Sequence, residues 1–486
     1  MSGPTVAIVG GGIAGLASAF ALQEQASVAG CPLSCTLIES AGEWGGKIAT
    51  HRVSDSLLEA GPDSFLSQKP WGIELCTKLG IADQLINTDA AHKRTYVYSR
   101  GRLRALPEGL VVIVPQKLGP FLRSGLLSWP GLARMGMDLL LPARPVPGDE
   151  SIAAFFTRRL GREAFERLVE PLMAGIYAGD AHQMSLRATF PRFIELERQH
   201  GSVIRGLLAG RSAIERSGAA AGRARPAGPP RTMFVTLRNG LGDLVQTLVA
   251  RIQTAGATLL TGQQVTALRA RTLELGHGYA LQLSDGRTVM ADSVVLATPA
   301  YVTADLIRPL SGAAAGLLES IPYASTMTVS LVYSRAAVAD TLSGYGFVVP
   351  RTEGSDLLAA TNTSLKWPER TPGDKFAVRC YLGGMGKEGI FVLSDEEVIR
   401  RVKGELRRMT GLTADPDYVE VNRWNRAMPQ YTLGHLDRME ALQRSLAPYR
   451  GLYLVGAAYR GIGIPDCIRD GTEAATAIIR EWKGAR

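Results

Sequence analysis

Cysteine, histidine and long apolar runs are all scarce in this sequence. Its five cysteines are odd in number and form no C-x-x-C pair, and the N-terminus enters a predicted strand without a charged-then-apolar leader. Six scattered histidines show no metal-ligand spacing such as H-x-x-x-H. No apolar run reaches the roughly 18 to 20 residues that a transmembrane helix needs. These absences predict a protein of the reducing cytoplasm that has no metal site.

The composition is that of a globular protein with more than one domain. Apolar residues make up 46% of the chain and charged residues 20%, as in ordinary globular proteins. A chain of 486 residues is too long for one simple core. The formal net charge of +9 favours anionic partners such as carboxylated substrates or lipid head groups, and a solvated basic surface without a partner is the alternative. No nucleic-acid partner is predicted.

A glycine-rich turn near the N-terminus is the first positive signal. Val6–Val9 is typical of a short β-strand, and Gly10–Gly15 after it fits the G-x-G-x-x-G turn that binds a dinucleotide pyrophosphate. Gly10 permits a tight exit from the strand, Gly12 a close approach to the pyrophosphate, and Gly15 close packing of the next helix. The free N–H groups at the start of that helix are predicted to face the phosphates.

A second strand and a second glycine pair strengthen this prediction. Thr36–Glu39 ends in a carboxylate 24 residues after Gly15, close to the roughly 20 expected of a ribose-binding acid. Gly45-Gly46-Lys47 offers another close approach to pyrophosphate next to a cation, which favours FAD over NAD. A structural glycine loop is the alternative, and the strand–turn–helix context argues against it. A second G-x-G-x-x-G turn for NADPH is absent, which favours O2 as the electron acceptor.

The rest of the chain predicts further segments. From Leu106 to Pro147 apolar pieces are broken by proline and glycine, and the six basic residues between Arg102 and Arg144 outnumber two acids, a net charge of +4. Such a segment is typical of contact with an anionic membrane surface, and short helices over a substrate cavity are the alternative. Residues 210–230 predict a disordered insertion. The strands predicted for a second sheet are Met327–Tyr333, Tyr345–Val349, Leu357–Thr361 and Phe376–Leu382.

Several separate stretches of the chain match one family. Besides the opening unit, they are Glu59–Phe65, Arg102–Pro107, Ala174–Asp180, Trp424–His435 and Tyr459–Ile468. In this order they make the chain similar to the oxygen-dependent protoporphyrinogen oxidases of the flavin amine oxidase superfamily. The match covers nearly the whole chain apart from 210–230.

The resemblance implies an α/β fold in three parts. A Rossmann-like FAD-binding domain is assembled from 1–92, 231–304 and 440–486, and a substrate-binding domain with an antiparallel sheet covers 305–439. The segment 93–209 is helical and serves for contact with the membrane surface. The protein is expected in the cytoplasm, and peripheral attachment to the inner face of the membrane and a homodimer are open alternatives.

The resemblance also carries site residues over, position by position. The expected FAD contacts are Gly10, Gly11, Gly12, Ile13, Ala14, Gly15, Glu39, Ser40, Lys47, Gly61, Pro62, Asp63, Ser64, Val265, Trp424, Ile462, Gly463 and Ile464. The expected substrate contacts are Arg104 on a propionate, Gly175 facing the pyrrole nitrogens, and Val349 and Leu365 clamping the macrocycle. One position departs from the family: Ala457 stands where many members have asparagine, which leaves that hydrogen bond to the cofactor to backbone or water.

The implied activity is the oxidation of protoporphyrinogen IX to protoporphyrin IX by O2 in haem biosynthesis. Six electrons leave in three flavin cycles, and H2O2 is released. Because the flavin carries the chemistry, no acid–base residue is expected, and no Cys/His or Ser/His/Asp arrangement is evident. Oxidation of coproporphyrinogen III, whose four propionates call for further cations, is the nearest alternative. A flavin amine oxidase or carotenoid desaturase, and a non-catalytic flavin-binding scaffold, are more distant ones.

Overall fold

The computed structural model describes residues 3–106, 110–111, 114–115, 121, 124–144, 148–210, 231–273, 276–338 and 341–484. The chain divides into two compact units: the first contains 1–87, 231–322 and 436–486, and the second contains 88–230 and 323–435. All but the first residue of the predicted insertion 210–230 lies outside the described residues. The domain boundaries predicted from the sequence stay a prediction, because compactness alone does not show which part binds the cofactor.

Strands and helices follow one another in groups along the described chain. The strands are β1 Thr5–Val9, β2 Ser34–Ile38, β3 Thr50–Val53, β4 Ser56–Glu59, β5 Phe65–Leu66, β6 Leu85–Asn87, β7 Thr95–Ser99, β8 Arg102–Ala105, β9 Leu110–Val111, β10 Val114–Pro115, β11 Phe234–Leu237, β12 Thr258–Leu260, β13 Val265–Leu273, β14 Gly276–Leu283, β15 Thr288–Ala291, β16 Ser293–Leu296, β17 Tyr323–Ser334, β18 Gly346–Val348, β19 Leu357–Asn362, β20 Lys375–Gly383, β21 Tyr418–Pro429 and β22 Leu452–Leu454. The helices are α1 Ile13–Val28, α2 Pro70–Leu79, α3 Trp129–Gly136, α4 Ile152–Leu160, α5 Arg162–Ala164, α6 Glu170–Tyr177, α7 Leu186–Thr189, α8 Pro191–His200, α9 Gly242–Thr254, α10 Ala300–Ile307, α11 Gly312–Glu319, α12 Arg335–Val338, α13 Thr363–Lys366, α14 Asp395–Thr410, α15 His435–Leu446 and α16 Ile464–Gly484. A π-helical turn, Phe165–Val169, joins α5 to α6.

A five-stranded parallel sheet lies in the first unit, in the order β12–β2–β1–β16–β22. The branched apolar side chains of β1 suit a strand that is buried on both faces, and Val6 and Ile8 are buried. After β1 the chain forms α1 and returns as β2 beside β1, with Val6 opposite Cys35. β16 pairs with the other side of β1. The structure thus confirms the predicted strand–helix–strand opening, and the chain returns to the same sheet as β16.

The first and last helices of this unit pack closely. α1 is apolar on nearly every side and is buried along most of its length. A Cβ on Gly471 of α16 would lie 2.6 Å from the carbonyl oxygen of Ala14 and 2.8 Å from Oγ of Ser18. Only a glycine leaves room for this crossing, so the start of α1 is fixed against α16.

Seven strands form the main sheet of the second unit, in the order β21–β17–β20–β19–β18–β7–β8. Neighbouring strands are antiparallel except β18 and β7, which are parallel. The predicted antiparallel sheet is therefore mixed at one pair. The reason is that β7 comes from a part of the chain far from β18 and does not join it through a hairpin.

The two faces of this sheet differ in polarity. Met327, Val329 and Leu331 alternate along β17 toward an apolar face. Helix α14 packs on that face through residues one turn apart, among them Val398 and Val402. The opposite face carries more polar side chains, among them Thr328, Ser330 and Arg379.

A buried ion pair lies within the helical part of the second unit. Nε of Arg159 on α4 is 2.5 Å from Oδ1 of Asp138, and both side chains are fully buried. Arg159 also donates to the carbonyl oxygen of Gly201 at 2.8 Å. The predicted helical segment 93–209 differs in its first residues, because β7 and β8 form a hairpin that belongs to the sheet. Across the described ranges, no helix is both long and apolar enough to span a bilayer.

Candidate functional site

The predicted glycine turn forms an open cradle at the start of α1. Gly10 has φ +107°, a conformation that favours glycine. A Cβ on Gly15 would lie 1.9 Å from the carbonyl oxygen of Gly10, so only glycine fits there. A Cβ on Gly12 would meet no atom within 4 Å. Gly12 precedes α1 and gives it no side-chain cap, which leaves the first N–H groups of the helix available to an anion.

The second glycine motif packs directly on the first. The N–H of Gly45 donates to the carbonyl oxygen of Gly11 at 2.9 Å, and Gly12 and Gly45 pair as a single β-bridge. A Cβ on Gly46 would be 3.2 Å from Cα of Gly12. Lys47 follows and is half-buried, and burial lowers the pKa of its ammonium group. The structure therefore brings the two predicted pyrophosphate-binding segments together, with a cation beside them.

The carboxylate of Glu39 lies at the end of β2 and faces this cradle. Its Oε2 accepts the N–H of Gly11 at 2.6 Å, and its Oε1 accepts the N–H of Ala41 at 2.7 Å. Oγ of Ser40 donates to Oε1 at 3.1 Å. These bonds hold an acceptor where the ribose-binding acid of a dinucleotide site belongs. The N–H of Gln263 donates to the carbonyl oxygen of Glu39 at 3.0 Å. Val265, one of the predicted FAD contacts, follows two residues later at the start of β13.

The remaining predicted cofactor residues of the first unit lie in two turns. Gly61–Ser64 joins β4 to β5, and within it Oγ of Ser64 donates to Oδ1 of Asp63 at 2.6 Å. Ile462 and Gly463 lead into Ile464, the first residue of α16. Half-buried Ala457, the position that departs from the family, packs against the core of this unit.

The ion pair Lys69–Asp466 was not predicted from the sequence. Nζ of Lys69 lies 2.5 Å from Oδ2 of Asp466 in the first turn of α16, and the Asp466 side chain is buried. The two residues are 397 positions apart, so that no local pattern could have paired them. The pair fixes the chain before α2 to the start of α16, next to the predicted flavin-closing turn.

In the second unit, Arg104 lies on the edge strand β8. Its Nε donates to the carbonyl oxygen of Ser99 at 3.4 Å, and its Nη1 would be 2.5 Å from a Cβ on Gly125. Strand pairing places a row of residues beside it on one face of the sheet. From Arg104 the row runs through Val97, Val348, Ala359, Tyr381, Thr328 and Asn422. This is the face opposite α14.

Trp424 shares this face with Arg104, and Val349 does not. Trp424 is two residues beyond Asn422 on β21, the other edge strand, and is half-buried. Val349 exposes only 2% of its surface and lies in the apolar core under α14, which Leu365 also contacts. Val348, its neighbour in the chain, lies on the Arg104 face. Val348 and Val349 are adjacent, and successive side chains of a strand lie on opposite faces of the sheet.

Gly175 lies near the end of α6 and is exposed together with Ile176. A Cβ on Gly175 would meet nothing within 4 Å, so the backbone there is accessible to a ligand. The other side of α6 packs on β18 and β19. Nε2 of Gln430 donates to the carbonyl oxygen of Tyr177 at 2.9 Å and fixes the end of the helix.

The family model for flavin containing amine oxidoreductases matches residues 13–479, almost the whole chain. The chain belongs to this family. Its cofactor is FAD, as predicted, and the open glycine cradle, the uncapped start of α1 and the Glu39 carboxylate fit such a dinucleotide. Among the described residues, no group of three or more His, Cys, Asp or Glu side chains is arranged to hold a metal ion.

Individual relatives confirm the predicted superfamily and its porphyrinogen oxidase branch. The chain is 37% identical to coproporphyrinogen III oxidase of Bacillus subtilis (strain 168) over 97% of both chains. It is 31% identical to protoporphyrinogen oxidase of Homo sapiens over 98% of both. A crystal structure from Exiguobacterium sp. 255-15, of a protein provisionally named protoporphyrinogen oxidase, superimposes with a TM-score of 0.85 at 30% identity, covering 99% of this chain and 100% of that one.

Proposed function

We propose that this chain uses FAD and O2 to oxidise coproporphyrinogen III to coproporphyrin III. The observation that carries the proposal is the 37% identity, over 97% of both chains, to the Bacillus subtilis coproporphyrinogen III oxidase. Oxidation of protoporphyrinogen IX, the activity expected from the sequence, is the second candidate, and the similarity to the human protoporphyrinogen oxidase favours it. Either activity removes six electrons and belongs to haem biosynthesis.

The residues of the chain bind and orient the substrate in this proposal. Arg104 forms a charge-assisted pair with a propionate, and the exposed backbone at Gly175 meets the pyrrole nitrogens. A substrate with four propionates calls for more cations than one. Arg379 lies two residues before Tyr381 on β20 and therefore on the Arg104 face, with its guanidinium 5.0 Å from the centre of the Tyr381 ring. Bound FAD supplies the redox chemistry, taking electrons from the methylene bridges and passing them to O2 with release of H2O2.

The test is an aerobic assay on the purified holoprotein. Coproporphyrinogen III and protoporphyrinogen IX are offered side by side, while porphyrin fluorescence and H2O2 are followed. We expect a higher kcat/KM for coproporphyrinogen. A preference for protoporphyrinogen would select the second candidate. Emission from neither substrate would exclude porphyrinogen oxidation and leave only the flavin family established.

We also propose that α3 and the residues after it rest on a membrane surface of the cytoplasmic side. Large apolar side chains are exposed here: Trp129 by 75% and Leu140 by 83%. Amphipathic surface helices bind anionic membranes by such side chains. We expect the protein to sediment with vesicles that contain anionic lipid, and the double variant Trp129→Ser/Leu140→Ser to stay in solution.

Val392→Ser is the matched control for this experiment, because Val392 is equally apolar, is 86% exposed and lies elsewhere in the second unit. It should leave vesicle binding unchanged. Equal loss of binding in the control, or no binding by the unmodified protein, would contradict the membrane proposal. In that case α3 and the residues after it would only cover the substrate cavity.

A further inference from the structure

The chain that follows α6 is held in a strained conformation. We call Ala178–Asp180 the α6 loop. Ala178 has φ +48°, in the left-handed region that residues with a Cβ seldom adopt. Its carbonyl oxygen accepts the N–H of Met385 at 2.9 Å. Gly384 packs so closely that a Cβ there would lie 2.7 Å from the same oxygen. Strain of this kind persists only where surrounding contacts over-determine it, so the α6 loop needs a partner that fixes it.

One arginine supplies contacts to this region from three sides. Arg351 follows β18, and its Nη2 donates to the carbonyl oxygens of Gly179 and Met385, each at 3.0 Å. Its Nε lies 3.0 Å from Oε1 of Glu170, the buried first residue of α6. A single guanidinium thus joins the start of α6, the α6 loop and the chain after β20. A planar fork of donors can serve three acceptors at once, which a lysine ammonium on a flexible stem does less well.

We propose that Arg351 is a positioning residue for the substrate. The inference rests on the proposed function, since it takes Gly175 as the backbone site that meets the macrocycle. Gly175 lies between the two ends of α6 that Arg351 joins. Without Arg351 fewer contacts hold the end of the helix, although the bond from Gln430 remains. The substrate must then order the helix end further on binding, which weakens affinity. Arg351 acts through the α6 loop and does not itself contact the substrate.

The experiment compares Arg351→Met with Arg351→Lys and with a matched arginine. Arg423 makes the same kinds of contact in the same unit: it donates to the carbonyl oxygens of Phe391 and Leu393 and to Asp395, far along the chain from α6. In the holoenzyme, we expect Arg351→Met to raise KM for the porphyrinogen about tenfold, the effect of losing one or two net hydrogen bonds, while flavin content and kcat stay within about threefold. Arg351→Lys should recover part of the affinity. Arg423→Met should leave KM unchanged.

Amide hydrogen exchange measured by mass spectrometry tests the inference independently of turnover. Peptides covering 174–186 and 383–387 should exchange faster in Arg351→Met than in the unmodified protein, and no faster in Arg423→Met. Unchanged exchange would overturn the inference, because Arg351 would then not hold the loop. Faster exchange with an unchanged KM would overturn it as well, because the loop would then not set substrate binding. An unmodified protein that oxidises no porphyrinogen would instead overturn the proposed function, whatever the exchange data show.

Discussion

The glycine cradle of the first unit and the α6 loop of the second unit both use backbone in the left-handed region, but different contacts hold them. In the cradle, Gly10–Gly12 meets Gly45 and Gly46, and most contacts join one backbone atom to another. In the α6 loop, Arg351 binds the carbonyl oxygen of Gly179 and the N–H of Met385 binds that of Ala178, while Gln430 binds the carbonyl oxygen of Tyr177 just before the loop. Glycines and backbone contacts dominate the first site, beside the Glu39 carboxylate, whereas long side chains add to the backbone contacts of the second.

This difference implies two kinds of sensitivity. At Gly15 the packed backbone leaves no room for one more atom, so that even a methyl group there should disrupt the cradle. A loop held by separate side-chain hydrogen bonds should weaken by steps, since each bond contributes about 0.5 to 1.5 kcal/mol and the others remain.

The largest expected effect is that of Gly15→Ala. The added Cβ would lie 1.9 Å from the carbonyl oxygen of Gly10, and overpacking of this kind typically costs about 1 to 3 kcal/mol of stability. We expect the purified variant to lack flavin absorbance and to unfold at a lower temperature. The matched control is Gly42→Ala in the same unit, because a Cβ on Gly42 would meet nothing within 4 Å. If Gly15→Ala still binds flavin, the backbone of the cradle can move enough to accept the added methyl group, and this prediction is wrong.

A smaller, graded effect is expected from Arg104→Met in the second unit. Removal of the charge-assisted bond to a propionate that we propose for Arg104, worth about 1.5 to 3 kcal/mol, should raise KM for the porphyrinogen roughly tenfold to a hundredfold with FAD still bound. Steady-state kinetics of porphyrin formation measure this. Arg102→Met, two residues earlier on the same strand and more exposed, serves as control. Equal effects of the two variants would refute a specific role for Arg104.

The same contrast explains how much could be predicted from the sequence. The strand β1, the turn Gly10–Gly15 and the acid Glu39 follow one another within a short stretch, and each residue type has a local backbone reason to be there. The parallel pairing of β1 with β2 is therefore predictable, and the structure has it. The Tyr98–Leu103 hairpin is predictable for the same reason, since its turn lies between its own strands.

The contacts around α6 have no such local signal. Arg351 and Glu170 are 181 positions apart, and nothing in either stretch indicates the other. The face of a strand residue is similarly hard to predict where the strand end is uncertain. The resemblance predicts Val349 beside the macrocycle, and this stays a prediction; the structure has Val348 on the Arg104 face and Val349 in the core. A shift of one residue reverses the side chain, and only the pairing with β19 fixes it.

The smallest expected effect concerns Glu170, the buried carboxylate beside Arg351. Burial raises the pKa of Glu170 above its ordinary value, although the charge and hydrogen bonds of Arg351 act in the opposite direction. A raised pKa in the folded state means that the contribution to stability is fully present below the ordinary value of about 4.3 and is lost as pH rises through the folded pKa. The unfolding temperature of the unmodified protein should therefore fall relative to that of Glu170→Gln as pH rises above about 4.3. Hydrogen bonding by Arg198 lowers the pKa of the exposed Glu195, so the contribution of Glu195 to stability is lost only as pH falls below about 4.3. Glu195→Gln should therefore differ from the unmodified protein only in that lower range. Parallel melting curves for Glu170→Gln and the unmodified protein above this pH would mean that Arg351 offsets the effect of burial on the Glu170 pKa completely. The contact between Arg351 and Glu170 would then hold the α6 region equally well at each pH tested.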